Sequence, residues 1–249
     1  MNARYICEIR FDNKLDKRSY LNDLPIIRHL SRSSIKLESP VTFFVGENGT
    51  GKSTLLEGIA VAYGFNAEGG TKNFTFSTKN THSELCEHIT LSKKAFSKDG
   101  FFLRAESLYN VATDIDKMDS EPSFDPPIKE SYGGVSLHEQ SHGESFLAVV
   151  HNRFKGHGLY ILDEPEAALS PMRILALMQE MDWLVKNDSQ FIISTHSPML
   201  MAFPGAEIFE LTEDGINEVD YRETEHFRTT KEFINNPERT LHYLLDSEE

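Results

Sequence analysis

The feature that most constrains the fold is a glycine-rich turn that joins an apolar segment to a helical pattern. Residues 41–45 are β-branched and aromatic, and the turn from 46 to 53 reads Gly-Glu-Asn-Gly-Thr-Gly-Lys-Ser. The apolar residues from 54 to 62 then have helical spacing. A strand, a glycine loop and a helix in this order are typical of a loop that wraps a chain of phosphates. Glycines let backbone N–H groups turn inward, and the helix N-terminus adds partial positive charge.

The side chains of this turn suit a nucleoside triphosphate and its magnesium ion. Lys52 supplies a point charge for the β- and γ-phosphates, and the Ser53 hydroxyl is placed to ligate Mg²⁺. The loop residues expected to bind the nucleotide are Gly46, Glu47, Asn48, Gly49, Thr50, Gly51, Lys52, Ser53 and Thr54. The alternative is a glycine-rich turn with a chance lysine, and the presence of both flanking elements disfavours it.

Two more apolar segments end in polar residues. Residues 159–162 precede Asp163 and Glu164, and residues 190–195 precede His196. Ligands of open α/β sheets bind at the carboxyl ends of the strands. Asp163 is therefore expected to hold Mg²⁺, Glu164 to polarise a water for attack on the γ-phosphate, and His196 to contact that phosphate. Taken alone, Asp163 and Glu164 could equally be an acidic strand end before a proline-led turn.

A third polar segment, Gln-Ser-His-Gly-Glu from 140 to 144, opens a predicted helix. Ser141 can cap that helix, and Gly143 allows backbone to approach an anion closely. One interpretation is a helix cap and nothing more. The other is a second phosphate-binding surface, formed by Ser141, Gly143 and Glu144, that has no phosphate to bind on its own subunit.

Composition and charge narrow the class of protein. The chain has 249 residues, two cysteines and a formal net charge of −14. We expect one α/β domain over 1–249, in a reducing, cytoplasmic setting, with no membrane span and no signal peptide. The acidic charge disfavours coating of DNA by bulk electrostatics, although basic residues could still cluster locally.

Strands and helices alternate along the chain, which predicts a mostly parallel sheet with helices on its faces. Five further predictions concern its other segments. We expect an exposed loop at 65–82, a hairpin of 88–91 with 100–105, a small and partly irregular lobe at about 107–140, a strand pair at 206–211 and 216–221, and a closing helix at 233–245.

In order and spacing these motifs resemble those of ABC-type ATPases, and most closely the stand-alone bacterial AAA-like ATPases related to the RecF and SMC branch. The resemblance covers the Walker A loop (46–53), a Ser-x-Gly-Glu signature (141–144), the Walker B strand with its glutamate (159–164), a D-loop (165–170) and a switch histidine, His196. It implies a P-loop NTPase fold and Mg²⁺-dependent ATP hydrolysis. It also implies a head-to-tail homodimer in which each signature faces the ATP of the other copy, so that ATP acts as a switch.

The chain departs from the family pattern in its signature, which reads Gln-Ser-His-Gly-Glu instead of Leu-Ser-Gly-Gly-Gln, and Glu106 stands where a Q-loop glutamine is expected. Two alternatives remain open. One is a nucleotide-dependent binding or sensor subunit with little turnover alone, acting with a protein or DNA partner in DNA repair or phage defence. The other is a small-molecule kinase, which would carry lid arginines that residues 107–140 lack.

Overall fold

The computed structural model describes residues 4–12, 15–71, 83–122 and 126–245. The strands are β1 (Ile6–Phe11), β2 (Ile35–Lys36), β3 (Val41–Gly46), β4 (Ile89–Lys93), β5 (Asp99–Arg104), β6 (Gly158–Asp163), β7 (Gln190–Ser194), β8 (Glu207–Thr212) and β9 (Gly215–Glu218). The α-helices are α1 (Pro25–Leu30), α2 (Lys52–Tyr63), α3 (Leu108–Ser120), α4 (His142–Arg153), α5 (Pro171–Lys186), α6 (Pro198–Met201), α7 (Glu225–Asn235) and α8 (Pro237–Leu245).

The larger sheet has the strand order β5-β6-β7-β3-β8-β9. Neighbouring strands from β5 to β8 run parallel, and β9 returns antiparallel to β8. The predicted mostly parallel α/β sheet is therefore confirmed. Because these strands are parallel, the carboxyl ends of β3, β6 and β7 lie at one edge, and the segments that follow them meet there.

The two faces of this sheet carry separate apolar cores. Successive side chains of a strand point to opposite faces, so Phe43 packs with the helices α3, α4 and α5 while Phe44 packs with α1 and α2. Both rings are fully buried, and burying a phenylalanine side chain stabilises the fold by about 1.5–3 kcal/mol. This packing holds the strand that feeds the phosphate loop from both sides.

The predicted hairpin of 88–91 with 100–105 is wrong. Strand β4 pairs with β1 in a separate antiparallel sheet of order β2-β1-β4, whereas β5 lies parallel to β6 in the larger sheet. Both strands exist, but the turn between them joins two sheets. The turn residues between β4 and β5 are compatible with a hairpin and with a link between two sheets. The strands with which β4 and β5 pair, β1 and β6, decide between these connections, and both lie far away in the chain.

The predicted exposed loop at 65–82 is also wrong over its described part, residues 65–71. Phe65 is buried and stacks on Tyr63 with ring centroids 5.5 Å apart. Gly70 exchanges two backbone hydrogen bonds with Phe102, of 2.8 and 3.0 Å, and so extends the edge of the larger sheet. The rest of the predicted loop lies outside the described residues.

The lobe at 107–140 and the C-terminal segment are more helical than predicted. Helix α3 fills the first part of the lobe, and its apolar residues pack on the larger sheet, while short 3-10 turns follow at Ile128–Tyr132 and Leu137–Glu139. The strand pair β8–β9 forms as expected. The closing helix instead begins at Glu225, because Thr224 caps it, and Pro237 divides it into α7 and α8. Across the described residues, no helix has both the length and the apolar character to cross a membrane.

Candidate functional site

The phosphate loop connects β3 to α2 through glycines with positive φ. Gly46 and Gly51 have φ of 135° and 98°. A Cβ on Gly46 would lie 2.3 Å from the backbone oxygen of Leu211, and one on Gly51 would lie 2.6 Å from the Ile26 side chain. Only glycine accepts both the backbone angle and the close neighbour. The loop is thus held tightly against β8 and α1, while Glu47, Asn48 and Gly49 at its tip are exposed.

Lys52 is the first residue of α2, and its side chain is only 4% exposed. Its Nζ donates to the carbonyl oxygens of Gly46 and Glu47, at 2.8 and 2.9 Å. Burial lowers the pKa of Lys52, and the carboxylates of Glu164 and Asp163 oppose that shift. The ammonium group therefore lies inside the loop and is held by weak neutral acceptors that an anionic phosphate could replace.

The side chains of Ser53 and Asp163 are hydrogen-bonded to each other next to the phosphate loop. The Ser53 hydroxyl donates to Asp163 Oδ1 at 3.1 Å, and the Ser194 hydroxyl donates to the same oxygen at 2.5 Å. The other oxygen, Oδ2, lies 3.3 Å from Nε of Arg104, which also pairs with Glu57 at 2.8 Å. In strand register, Arg104 and Ser194 are the residues opposite Asp163 on its two neighbours. The carboxylate is therefore fixed from both sides at the end of β6.

Strand β6 ends at Asp163, and the backbone turns out of the sheet at the next residue, Glu164. Its backbone is left-handed, with φ 49° and ψ 56°, and its N–H donates to the Ser194 carbonyl at 3.1 Å. A non-glycine residue in this region costs of order 1–3 kcal/mol and is typical of functional sites. The turn brings Oε1 of Glu164 to 3.3 Å from Nε2 of His196, which follows β7. The pair is close, but Nε2 makes no aligned hydrogen bond within the described part of the chain.

Two residues that the sequence analysis missed hold His196 in place. The half-buried Glu166 accepts a hydrogen bond from the His196 backbone N–H, and Nε2 of His226 lies 2.8 Å from His196 Nδ1. Burial raises the pKa of Glu166. Burial also lowers the pKa of His196, and the charges of Lys52 and His226 act in the same direction. These effects favour the neutral imidazole of His196 at pH 7, beside the phosphate loop.

The signature segment opens α4, with Ser141 at the N-cap position. The Ser141 backbone N–H and hydroxyl both donate to Glu144 Oε2, at 3.0 and 2.5 Å, and the hydrogen bond from the hydroxyl is the main cause that lowers the pKa of Glu144. Arg173 on α5 pairs with Glu144 Oε1 at 3.1 Å. A Cβ on Gly143 would lie 2.4 Å from Nη1 of Arg173 and 2.8 Å from the Ala168 carbonyl oxygen. Glycine at 143 thus lets the signature pack against the D-loop and α5.

The predicted site residues divide into two groups in space. The phosphate loop, Asp163, Glu164 and His196 converge at one edge of the sheet. Ser141 and Glu144 are exposed and form no hydrogen bond or ion pair with residues 46–54, all of which the structure describes. Arg104 and Ser194 were not predicted from the sequence. Both lie opposite Asp163 in strand register, but that register depends on the strand order, which was not predicted. His226 has no local sequence signal.

Comparisons with known proteins find similarity over both of the segments that contribute to this site. A family model described as an AAA domain matches residues 19–112, which include the phosphate loop. A second, described as "AAA domain, putative AbiEii toxin, Type IV TA system", matches residues 129–202, which include the signature, Asp163 and His196. A protein of Vibrio cholerae serotype O1 biovar El Tor, described as "Retron Vc95 probable ATPase", is 28% identical over 134 residues, covering 47% of this chain and 25% of its own length.

The chain thus matches AAA-domain models in two successive segments, and its fold is that of the P-loop domains of ABC-type ATPases. The match spans about a quarter of the length of that relative. A solved structure described as "An inward-facing conformation of a putative metal-chelate type ABC transporter" has a similar fold, with a TM-score of 0.50 and 14% identity over 92% of this chain and 88% of that chain.

Proposed function

We propose that this ATPase hydrolyses ATP with Mg²⁺ in a head-to-tail homodimer, and that the dimer forms with ATP and separates after hydrolysis. The observation that carries the proposal is the separation of the two half-sites. The phosphate loop and its carboxylates lie at one edge of the sheet, while the exposed signature at Ser141 makes no polar contact with that loop. A phosphate-binding helix end with no phosphate of its own is suited to the ATP of a second copy.

The residues present fit a magnesium ion. Mg²⁺ is usually held by one or two carboxylates together with waters and substrate phosphates, and it prefers oxygen ligands. The Ser53 hydroxyl and Asp163 Oδ1 are two such oxygens, 3.1 Å apart. They would hold the ion, which when bound neutralises charge on the β- and γ-phosphates. Ser194 and Arg104 fix the Asp163 carboxylate in the required place.

Glu164 and His196 suit the hydrolytic step. Lys52 binds the phosphate charge, and the Glu164 carboxylate accepts a proton from the attacking water. His196 Nε2 lies 3.3 Å from Glu164 and is free of an aligned hydrogen bond in the described residues, so it can donate to the γ-phosphate. The Glu164 carboxylate lies beside His196, whereas the Asp163 carboxylate accepts from Ser53 and Ser194, so the base and the metal ligand have different partners.

A mixing experiment tests whether the signature acts on the ATP of the partner copy. Ser141→Arg places bulk and charge at the signature and leaves its own phosphate loop intact, whereas Lys52→Ala damages the loop and leaves the signature intact. Each variant alone should hydrolyse almost no ATP. The mixture should recover part of the activity, because one composite site of the mixed dimer combines the intact loop of one chain with the intact signature of the other.

Steady-state phosphate release measures this recovery, and capture through a tag on one chain measures mixed dimers in the same sample. Recovery requires a folded Ser141→Arg chain, so it also controls for loss of the helix cap, which typically costs about 1 kcal/mol. Full hydrolysis by Ser141→Arg alone would mean that the segment 140–144 is a helix cap only, and would contradict the shared site.

A second candidate function is favoured by the descriptions of the similar proteins. One matching model is described as "AAA domain, putative AbiEii toxin, Type IV TA system", and the similar Vibrio cholerae protein as "Retron Vc95 probable ATPase". This ATPase could accordingly be the nucleotide-dependent sensor subunit of a phage-defence or repair pair. That function predicts negligible turnover by the purified chain and a large increase when a protein partner or DNA is added. Substantial turnover by the chain alone favours the homodimeric switch.

A further inference from the structure

His226 lies on α7, thirty residues beyond His196, yet the two rings are in contact. His226 Nε2 is 2.8 Å from His196 Nδ1, with the ring centroids 4.8 Å apart. On the other side of the same ring, His196 Nε2 is 3.3 Å from Glu164 Oε1. Glu164, His196 and His226 therefore form a row that runs from the phosphate site to the C-terminal helices.

The positions of the protons in this row follow from its chemistry. His196 Nε2 faces an anionic carboxylate oxygen, so it carries a proton, since a bare lone pair there would be repelled. A neutral imidazole has only one proton, and His196 Nδ1 is therefore an acceptor. The donor must then be Nε2 of His226. This leaves His226 Nδ1 without a proton. That atom is buried and has no hydrogen-bond partner among the described residues.

We propose that His226 is a positioning residue that holds His196 in the Nε2–H tautomer, so that His196 donates to the γ-phosphate of ATP. The opposite tautomer would present a lone pair to the phosphate and repel it. A histidine tautomer is set by the hydrogen bond that the other ring nitrogen makes, and here that bond comes from His226. The inference rests on the proposed contact between His196 and ATP.

Helix α7 is attached by contacts that do not involve His226. Thr224 is fully buried and caps the helix, accepting from the Phe227 N–H at 3.3 Å and donating to the Tyr221 carbonyl at 2.7 Å. Tyr221 and Phe227 also pack edge to face, and the Glu225 N–H donates to Glu210 at 2.9 Å. Replacing His226 should therefore remove the hydrogen bond to His196 without releasing the helix.

The test compares two replacements of similar size. His226→Leu fills the space and cannot donate, whereas His226→Gln keeps an N–H donor at about the position of Nε2. We expect kcat for ATP hydrolysis to fall about 10- to 100-fold in His226→Leu, as for other partners that orient a functional histidine. KM should change little, and His226→Gln should recover most of kcat. His151→Leu, at an exposed histidine on α4, is the matched control and should keep full activity.

A nitrogen-15 NMR spectrum of labelled histidines reads the tautomer directly in the nucleotide-free protein. We expect His196 to be protonated at Nε2 in the wild type and in His226→Gln, and to shift towards the Nδ1–H form in His226→Leu. An unchanged His196 spectrum in His226→Leu would overturn the inference, as would a loss of kcat that His226→Gln does not recover. Failure of the wild type to hydrolyse ATP would instead contradict the proposed function, while the spectrum would still test the tautomer.

Discussion

Glu164→Gln should bind ATP as the wild type does and hydrolyse it about 10²- to 10⁴-fold more slowly, the usual effect of losing a general base. Glutamine keeps the size of the side chain and its ability to pair with His196, but it cannot accept a proton from water. The left-handed backbone at Glu164 is equally available to both residues. Single-turnover hydrolysis, with binding measured by calorimetry, separates the two quantities.

The matched control for this change is Glu180→Gln. Glu180 lies on α5 and pairs with His151 at 2.8 Å, outside the phosphate site. The Glu180→Gln variant loses the same negative charge as Glu164→Gln and should hydrolyse ATP at the wild-type rate. Hydrolysis by Glu164→Gln at more than about a tenth of the wild-type rate would exclude Glu164 as the base.

Lys52→Ala should lose ATP binding, with an affinity at least about 100-fold lower, because a charge-assisted contact in a water-poor loop is worth about 1.5–3 kcal/mol per hydrogen bond and Lys52 is expected to make more than one. The folded state should tolerate the change, because alanine is a good helix former at the start of α2 and removes a buried charge. Calorimetric titration with ATP and Mg²⁺ measures the affinity.

Lys186→Ala is the control for Lys52→Ala, because Lys186 is exposed at the end of α5 and pairs with Asp182 on its own helix. It should bind ATP normally. Undiminished affinity in Lys52→Ala would contradict the assignment of residues 46–54 as the nucleotide loop.

The parts of the fold that could be predicted are those with local chemical causes. Strand β3, its glycine loop and α2 follow from an apolar run, positive-φ glycines and helical spacing in one short segment. The pairing of β4 and β5 could not be predicted in this way. Each strand finds its partner far away in the chain, β4 at β1 and β5 at β6, and the residues between them carry no information about that choice.

The same distinction applies to the site. Parallel strands end at the same edge of the sheet, so the placement of Ser53, Asp163 and His196 at one edge follows from a parallel sheet. Their closeness depends on the neighbouring positions of β6, β7 and β3, which were not predicted. The contact of Arg104 with Asp163 depends on β5 lying next to β6. The contact of His226 with His196 depends on how α7 packs after the last strand. Both contacts are set by tertiary packing, which leaves no spacing signal in the sequence.

The proposal that ATP joins two copies of this chain through Ser141 and the phosphate loop is tested most directly by the molar mass of Glu164→Gln in solution. Multi-angle light scattering should give a dimer with saturating Mg-ATP and a monomer with Mg-ADP, because slow hydrolysis traps the ATP-bound state. Adding Ser141→Arg to the same chain should abolish the dimer while ATP binding persists. A monomer of Glu164→Gln with saturating Mg-ATP would contradict the head-to-tail dimer.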